Sequence, residues 1–423
     1  MYKMLNERIS GESFHLLQRA YLFVLTLLYL FDQRINSLAG FNVAGSVALV
    51  AISCLFGIVR YNSKNAVSVK SIIITLFLSA YALLAYGNND SCSVQFKGAF
   101  SLLLFLLLIA TMRYNYFDQF IKSTYIPKVL LAGIVAFSLL DYAGFNIFPS
   151  VNNSGVYYEA SHVALYSLPL LTYMLLKSYK NLYALSMMAL LLALSPSTTI
   201  FAGLLLVFTV CYVATSSQNI ATSILFVLAF IGTFLFLIIT DIVSMLHTST
   251  RIINLFKSSE FETVNHLNLS SMVWLNGWSQ AMQTINETNG LGVGFNQMGC
   301  GKFINSGQFT PLIQAAYSGE MLNAEDGSLM SAKLIAEFGY FGIVMVIALA
   351  WRCIRVLIEF VNKNNDCTVA QRNYLILRAT GAISLIVYLF VRSGSYFQLP
   401  VVLAIYLLFF TRKYISSLGN GQR

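Results

Sequence analysis

A chain of 423 residues that is 57% hydrophobic and only 10% charged cannot cover itself with polar surface as a soluble protein, since ordinary soluble domains carry about 25% charged residues. The missing polar surface points to lipid. The formal charge of +9 comes from 26 Lys and Arg against 17 Asp and Glu, but the basic residues sit in short segments between apolar runs rather than on one arm or face, which argues against nucleic acid as a partner.

In chain order, the polar and basic start gives way to an apolar run at Tyr21 with no small-residue cleavage site behind it. It reads as an uncleaved first membrane helix. Spanning a bilayer takes about 20 mostly apolar residues. Candidate spans fall near 14–32, 39–59, 67–86, 98–112, 127–147, 160–177, 181–195, 198–214, 219–243, 329–351, 374–391 and 396–411. Backbone amides in hydrocarbon need internal partners, so these runs are expected to be helices. The fold class is therefore all-α, a polytopic membrane protein of about twelve spans. The runs at 181–195 and 198–214 are separated only by Ser195-Pro196-Ser197, and read either as a tight hairpin or as one kinked element.

With a cytoplasmic N-terminus, 19 of the 26 Lys and Arg fall on the cytoplasmic side and its helix ends. The other 7 are Arg34, Lys97, Arg251, Lys257, Lys302, Lys333 and Arg392. That bias sets the orientation. Residues 244–328 hold no run long enough to span, and form an extracytoplasmic loop between a membrane domain at 1–243 and a second membrane segment at 329–423. Loops of this length are usually functional or disordered, and the tryptophans and phenylalanines here argue for order. Val273, Trp274, Trp278, Met282 and Ile285 recur at helical spacing, with Asn289-Gly290 as a stop. The bland reading is a small helical cap packed on the membrane domain and the sharper one a substrate-covering element; a cap with a lipid-facing stripe suits a membrane-bound substrate. The loop has no counterpart in the first half, which counts against the paired halves of many transporters.

Charge near the bilayer is costly and is by default a functional hypothesis. Arg251, in HTSTRIINLF, could hold a phosphate bidentately or simply sit among lipid headgroups. Arg392, in LFVRSGSYFQLP, lies at the outer face against the charge trend, beside a short Ser-Gly-Ser turn. Glu159 and His162 stand three apart where a polar loop enters the sixth span. Glu159 could take a proton from a sugar hydroxyl, or merely favour the helix start. Glu325 and Asp326 precede the tenth span and could cap it or orient an acceptor, while Lys333 and Glu337 read as a structural ion pair inside it. Trp278 and Lys302 of the loop complete the expected substrate-contacting set. The run GLGVG at 290–294 is no nucleotide fingerprint, because it follows a helix and lacks a βαβ setting. The four histidines and six cysteines show no metal-ligand spacing, so no metal or other cofactor is expected. Cys92 and Cys300 both fall in loops placed outside the cytoplasm, and a disulfide between them is left open.

The order Arg251, Trp278, GLGVGFNQMG, EDGSLMSAKLIAEFGYFG, together with SGVYYEASHVALY and the late hydrophilic loop, resembles the bacterial O-antigen polymerases of the Wzy type, relatives of the O-antigen ligases. The resemblance is mostly architectural. It implies an inner-membrane glycosyltransferase of the GT-C class, working at the periplasmic face without nucleotide. Such enzymes move a growing glycan from undecaprenyl pyrophosphate to the non-reducing end of a new lipid-linked repeat unit. Partners implied are that donor and acceptor, membrane lipids, a chain-length regulator and a flippase. Mapped onto this chain, Arg251 and Arg392 would hold the pyrophosphate and Glu159 would be the acidic group. The second loop arginine of the family is replaced by the Met272-Val273-Trp274 neighbourhood, which puts one pyrophosphate contact in doubt. Where the ligases carry a histidine, Glu325-Asp326 stand instead, which favours polymerase over ligase. A ligase and a lipid-linked oligosaccharide flippase are the competing readings.

Overall fold

The structure is a computed structural model, and it describes residues 11–39, 43–59, 81, 96–112, 116–145, 156–157, 159–215, 269–316, 323–363 and 367–411. Helix predominates and the described residues contain no strand. The helices are α1 (Gly11–Ala39), α2 (Ala44–Val59), α3 (Phe96–Thr111), α4 (Phe117–Lys122), α5 (Ile126–Tyr142), α6 (Ala160–Lys177), α7 (Leu182–Leu194), α8 (Thr198–Thr215), α9 (Leu269–Glu287), α10 (Thr310–Ala316), α11 (Met330–Lys363), α12 (Val369–Phe390) and α13 (Leu399–Phe409). By length and composition α8, α11 and α12 can each cross a membrane, while α7 and α13 are shorter apolar helices. Most of the runs predicted at 67–86 and all of 219–243 lie outside the described residues.

Helix α12 is the hub. It packs on α11, α13, α6 and α8. Its residues Leu375–Leu385 are buried without a break, as are Val163–Leu176 of α6. A helix apolar all round belongs inside a bundle, and these two have that character. The C-terminal part of α11 behaves differently: Val344, Ile347, Trp351, Ile354 and Ile358 are exposed at three- and four-residue spacing. A continuous apolar stripe of that kind faces something other than water, and lipid satisfies it.

Ser195-Pro196-Ser197 separates two helices rather than kinking one. Asn181 opens α7, its side chain accepting from the Ala184 amide, and α7 packs mainly on α5. Ser197 Oγ accepts from the Ile200 amide at the start of α8, which packs on α6.

Two elements show detail that the sequence pattern does not carry. The tenth span is not one straight helix. Gly339 breaks α11 with φ 55° and ψ −132°. The piece before it, 330–338, is buried throughout and carries Lys333 and Glu337; the piece after it bears the exposed apolar stripe. The break is forced by packing, because a Cβ on Gly339 would stand 1.8 Å from the Gly290 carbonyl oxygen. Helix α9 forms where expected, and its stripe is divided, with Trp274 and Trp278 half-buried. Val273 and Ile285 turn inward with Asn276, Gln280, Thr284 and Thr288, and Met282 is exposed. The polar members explain the difference. Gln280 donates to the carbonyls of Phe303 and Ala324 at 2.9 and 3.0 Å, and Asn276 accepts from the Phe309 amide at 3.0 Å. So α9 packs on α11 and organises the loop around itself.

Candidate functional site

The site is assembled at the end of the bundle where α6 begins and α12 ends. Glu159 is the extended residue just before α6, with φ −154° and ψ 161°. Its carboxylate accepts from Ser161 Oγ at 2.6 Å, stands 3.6 Å from His162 Nε2, and is ion-paired with an Arg392 terminal nitrogen. The three-residue spacing places Glu159 and His162 together as expected. Arg392 is one residue beyond the cap of α12, its amide still bonded to Val387. The next amide, Ser393, donates to Ser328 at 2.8 Å and ties this turn to the segment preceding α11.

That segment closes the third side. Asn323, Gly327 and Ser328 all adopt positive φ, folding 323–329 into a tight loop. With its side-chain oxygen toward Arg392, Asn323 accepts from both terminal nitrogens at 3.3 and 3.2 Å. Asp326 accepts from the Ser328 amide at 3.0 Å, so it shapes this turn rather than capping α11. Glu325 is exposed and its carbonyl accepts from Lys333 Nζ at 2.6 Å. From α9, the Trp274 indole donates to the Phe390 carbonyl at 3.3 Å and stacks edge-on with Trp278 at 6.2 Å. The two tryptophans therefore lie beside the end of α12 that carries Arg392.

Electrostatics differ between the two carboxylates. Burial alone would raise Glu159, but Arg392 and then His162 outweigh it and hold the group down at about 2. For Asp326 burial wins over the attraction of Arg392 and Lys333, and its value is raised. At this site Arg392 Nε and His162 Nδ1 are buried without a hydrogen-bond partner among the described residues. An arginine with an unused edge beside a carboxylate and an imidazole can take an oxyanion by charge-assisted hydrogen bonds. Among the described residues no group of His, Cys, Asp and Glu could hold a metal ion.

Of the predicted set, Glu159, His162, Asp326 and Arg392 come together, with Trp278 nearby through Trp274. Lys302 does not join them. It pairs with Glu287 at 2.8 Å, exposed at the end of α9. Arg251 and Cys92 lie outside the described residues; Cys300 is disulfide-bonded, while Cys54, Cys211 and Cys353 are free thiols.

Sequence reading missed two supports. Asn323 gave no signal beyond being one polar residue among many. Asp32 did give one, as an acid at the end of an apolar run. It is fully buried, and its Oδ2 accepts from the Leu399 amide at 3.0 Å and from the Tyr166 hydroxyl. Tyr166 stacks on Tyr157 at 4.6 Å, and Arg34 Nε holds the Val156 carbonyl at 2.8 Å. Thus the end of α1 grips the segment leading into Glu159 and the start of α13, which follows the Arg392 turn.

A second polar centre lies in the buried piece of α11. Glu337 pairs with Lys333 at 3.0 Å and accepts from the amides of Asn296 and Met298 at 2.8 and 3.3 Å and from Tyr396 Oη at 2.9 Å. The GLGVG run serves this centre. Gly292 and Gly294 have positive φ, and a Cβ at Gly292 would meet the Glu337 backbone at 2.6 Å. The glycines let the loop lie directly on the break in α11.

No family model, curated protein or solved structure matches the chain.

Proposed function

We propose that the chain is an O-antigen polymerase of the Wzy type, seated in the bacterial inner membrane with Glu159 and Arg392 facing the periplasm. The observation that carries this reading is the convergence of Arg392, Glu159, His162 and Asp326 at one end of the bundle, with unused hydrogen-bonding edges on Arg392 and His162. The placement suits a pyrophosphate leaving group, because fixed positive charge aimed at developing negative charge is the largest common source of rate.

In this mechanism an acceptor hydroxyl attacks the anomeric carbon of the donor glycan. The bond from that carbon to the pyrophosphate oxygen breaks, and the pyrophosphate departs with the electron pair onto Arg392. Glu159 takes the hydroxyl proton. While Arg392 grips it, Glu159 is a weak base; a pyrophosphate that engages Arg392 relieves that grip and raises its basicity. The tryptophans of α9 offer apolar faces to sugar rings beside the reacting groups.

The test is genetic. Arg392→Ala and Glu159→Gln in the native bacterium should each leave lipopolysaccharide that carries core plus a single repeat unit, with the protein still inserted. A normal long-chain ladder from both variants would sink the reading. Repeat units stranded on the cytoplasmic side would point to a flippase, and finished polymer not joined to core would point to a ligase.

A further inference from the structure

The opposite end of the same two helices holds a feature that the proposed chemistry does not use. Helices α6 and α12 carry Glu159 and Arg392 at one end. Their other ends, at Lys177 and Arg372, border a cavity of about 230 Å³ closed by the ends of α8 and α11. An 18-residue helix is roughly 27 Å long, so the cavity and the Glu159–Arg392 pair are separated by about one hydrocarbon thickness. The charge bias assigns this end to the cytoplasm.

The lining divides by chemistry. Its rim is cationic, formed by Lys177, Lys180 and Arg372, and no carboxylate lines it. None of these three forms an ion pair among the described residues; Glu359, the acid beside the lining residue Phe360, is taken by Arg378 and Lys363. Lys177 and Lys180 instead lie over the rings of Tyr173 and Tyr179, at 5.9 and 5.5 Å. Those contacts fix the ammonium groups near the opening. Leu176, Ala214 and Phe360 are buried apolar members of the lining and form its floor, beside the more polar Ser178 and Thr215.

Orientation accounts for lysines on this face, but not for three unpaired cations around an apolar hollow. The volume falls below the roughly 300–1,000 Å³ of sites for drug-sized ligands. It suits one small anionic group with a hydrocarbon tail against the floor. We propose that this cavity binds the phosphate headgroup of an anionic phospholipid of the cytoplasmic leaflet. Basic pockets between membrane helices on that side are suited to such headgroups. A free phosphate shares the headgroup chemistry but makes no use of the apolar floor.

Native mass spectrometry of the purified full chain tests this with phosphatidylglycerol as probe, phosphatidylcholine of the same chains as neutral control, and inorganic phosphate as competitor. Two variants attack the site differently: Lys177→Ala/Lys180→Ala/Arg372→Ala removes the rim charge, and Ala214→Phe fills the floor with the charge intact. A third, Arg19→Ala/Lys122→Ala/Lys128→Ala, removes three cations of the same face that do not line the cavity. Each Lys or Arg near a headgroup is worth about 1 kcal/mol, so loss of the rim should weaken phosphatidylglycerol binding by ~10-fold or more. Ala214→Phe should weaken it too, and the third variant should bind as the unaltered chain does. Equal loss in the rim and third variants, unchanged binding in both cavity variants, equal binding of phosphatidylcholine, or displacement by inorganic phosphate would each overturn the proposal.

Discussion

Two of the ion pairs among the described residues, Lys333–Glu337 and Arg392–Glu159, are built in opposite ways. Lys333–Glu337 is closed. Both side chains are nearly inaccessible, and the carboxylate accepts from two backbone amides and a tyrosine hydroxyl besides the lysine. Arg392–Glu159 is open. The glutamate side chain is 32% exposed, and Arg392 Nε and His162 Nδ1 are unsatisfied. A buried polar network that satisfies its members specifies architecture. One that leaves buried polar atoms unused beside a partly exposed carboxylate has capacity for a ligand. The contrast separates a girder from a site, although both pairs join an acid to a base at the edge of an apolar run.

Breaking the closed pair should have the largest effect on stability. Glu337→Ala leaves Lys333 buried and unpaired, at a cost of roughly 3–5 kcal/mol. Loss of monodisperse protein in detergent, or a large fall in thermal midpoint, is expected; an unaltered midpoint would refute the distinction. Asp32→Ala comes next. It strips the acceptor from the Leu399 amide and the Tyr166 hydroxyl, two hydrogen bonds worth about 1 kcal/mol each. The same thermal measurement should show a smaller but clear drop.

Arg392→Ala should invert the pattern. The pair is partly exposed, so stability should change by about 1 kcal/mol or less. Chain extension, read from the lipopolysaccharide ladder, should fall by ~100-fold or more. The pH dependence sharpens this. Glu159 is held at about 2, below its ordinary 4.5. A depressed carboxylate contributes stability above its unfolded value and loses it as pH falls through the folded one. Between pH 5 and 8 the thermal midpoints of the unaltered chain and Glu159→Gln should therefore run parallel. Convergence of the two curves inside that window would show that Glu159 titrates there and is not held by Arg392. The smallest effect belongs to Lys302→Ala. Its exposed bridge to Glu287 is worth at most about 1 kcal/mol, and neither thermal midpoint nor ladder should move appreciably.

The helical, apolar character was legible because it rests on composition and run length, which act locally and need no partner. So was the position of α9, whose helical period and Asn289-Gly290 stop are local signals. The direction of its buried face was not legible. Gln280, Asn276, Thr284 and Thr288 look like a solvated stripe until the loop carbonyls and amides they bond are in place. The break at Gly339 was hidden for a similar reason, since a glycine in an apolar run signals nothing by itself. It is forced by the backbone of a loop about 50 residues earlier, which approaches so closely that no side chain fits.

The sites divide in the same way. Sequence alone picks out Glu159 and Arg392, because a charge at the end of an apolar run is expensive wherever the chain folds. It cannot pair them across more than 200 residues, nor separate them from Lys302, which carries the same charge in an equally polar loop and ends on Glu287. It also lists Lys177, Lys180 and Arg372 only as members of a cytoplasmic excess. That they surround one hollow follows from the packing of α6, α8, α11 and α12. Charge and hydropathy are properties of single residues and determine which environment each segment enters. Pairing, burial and unused hydrogen bonds are properties of neighbours, and only the tertiary fold assigns those.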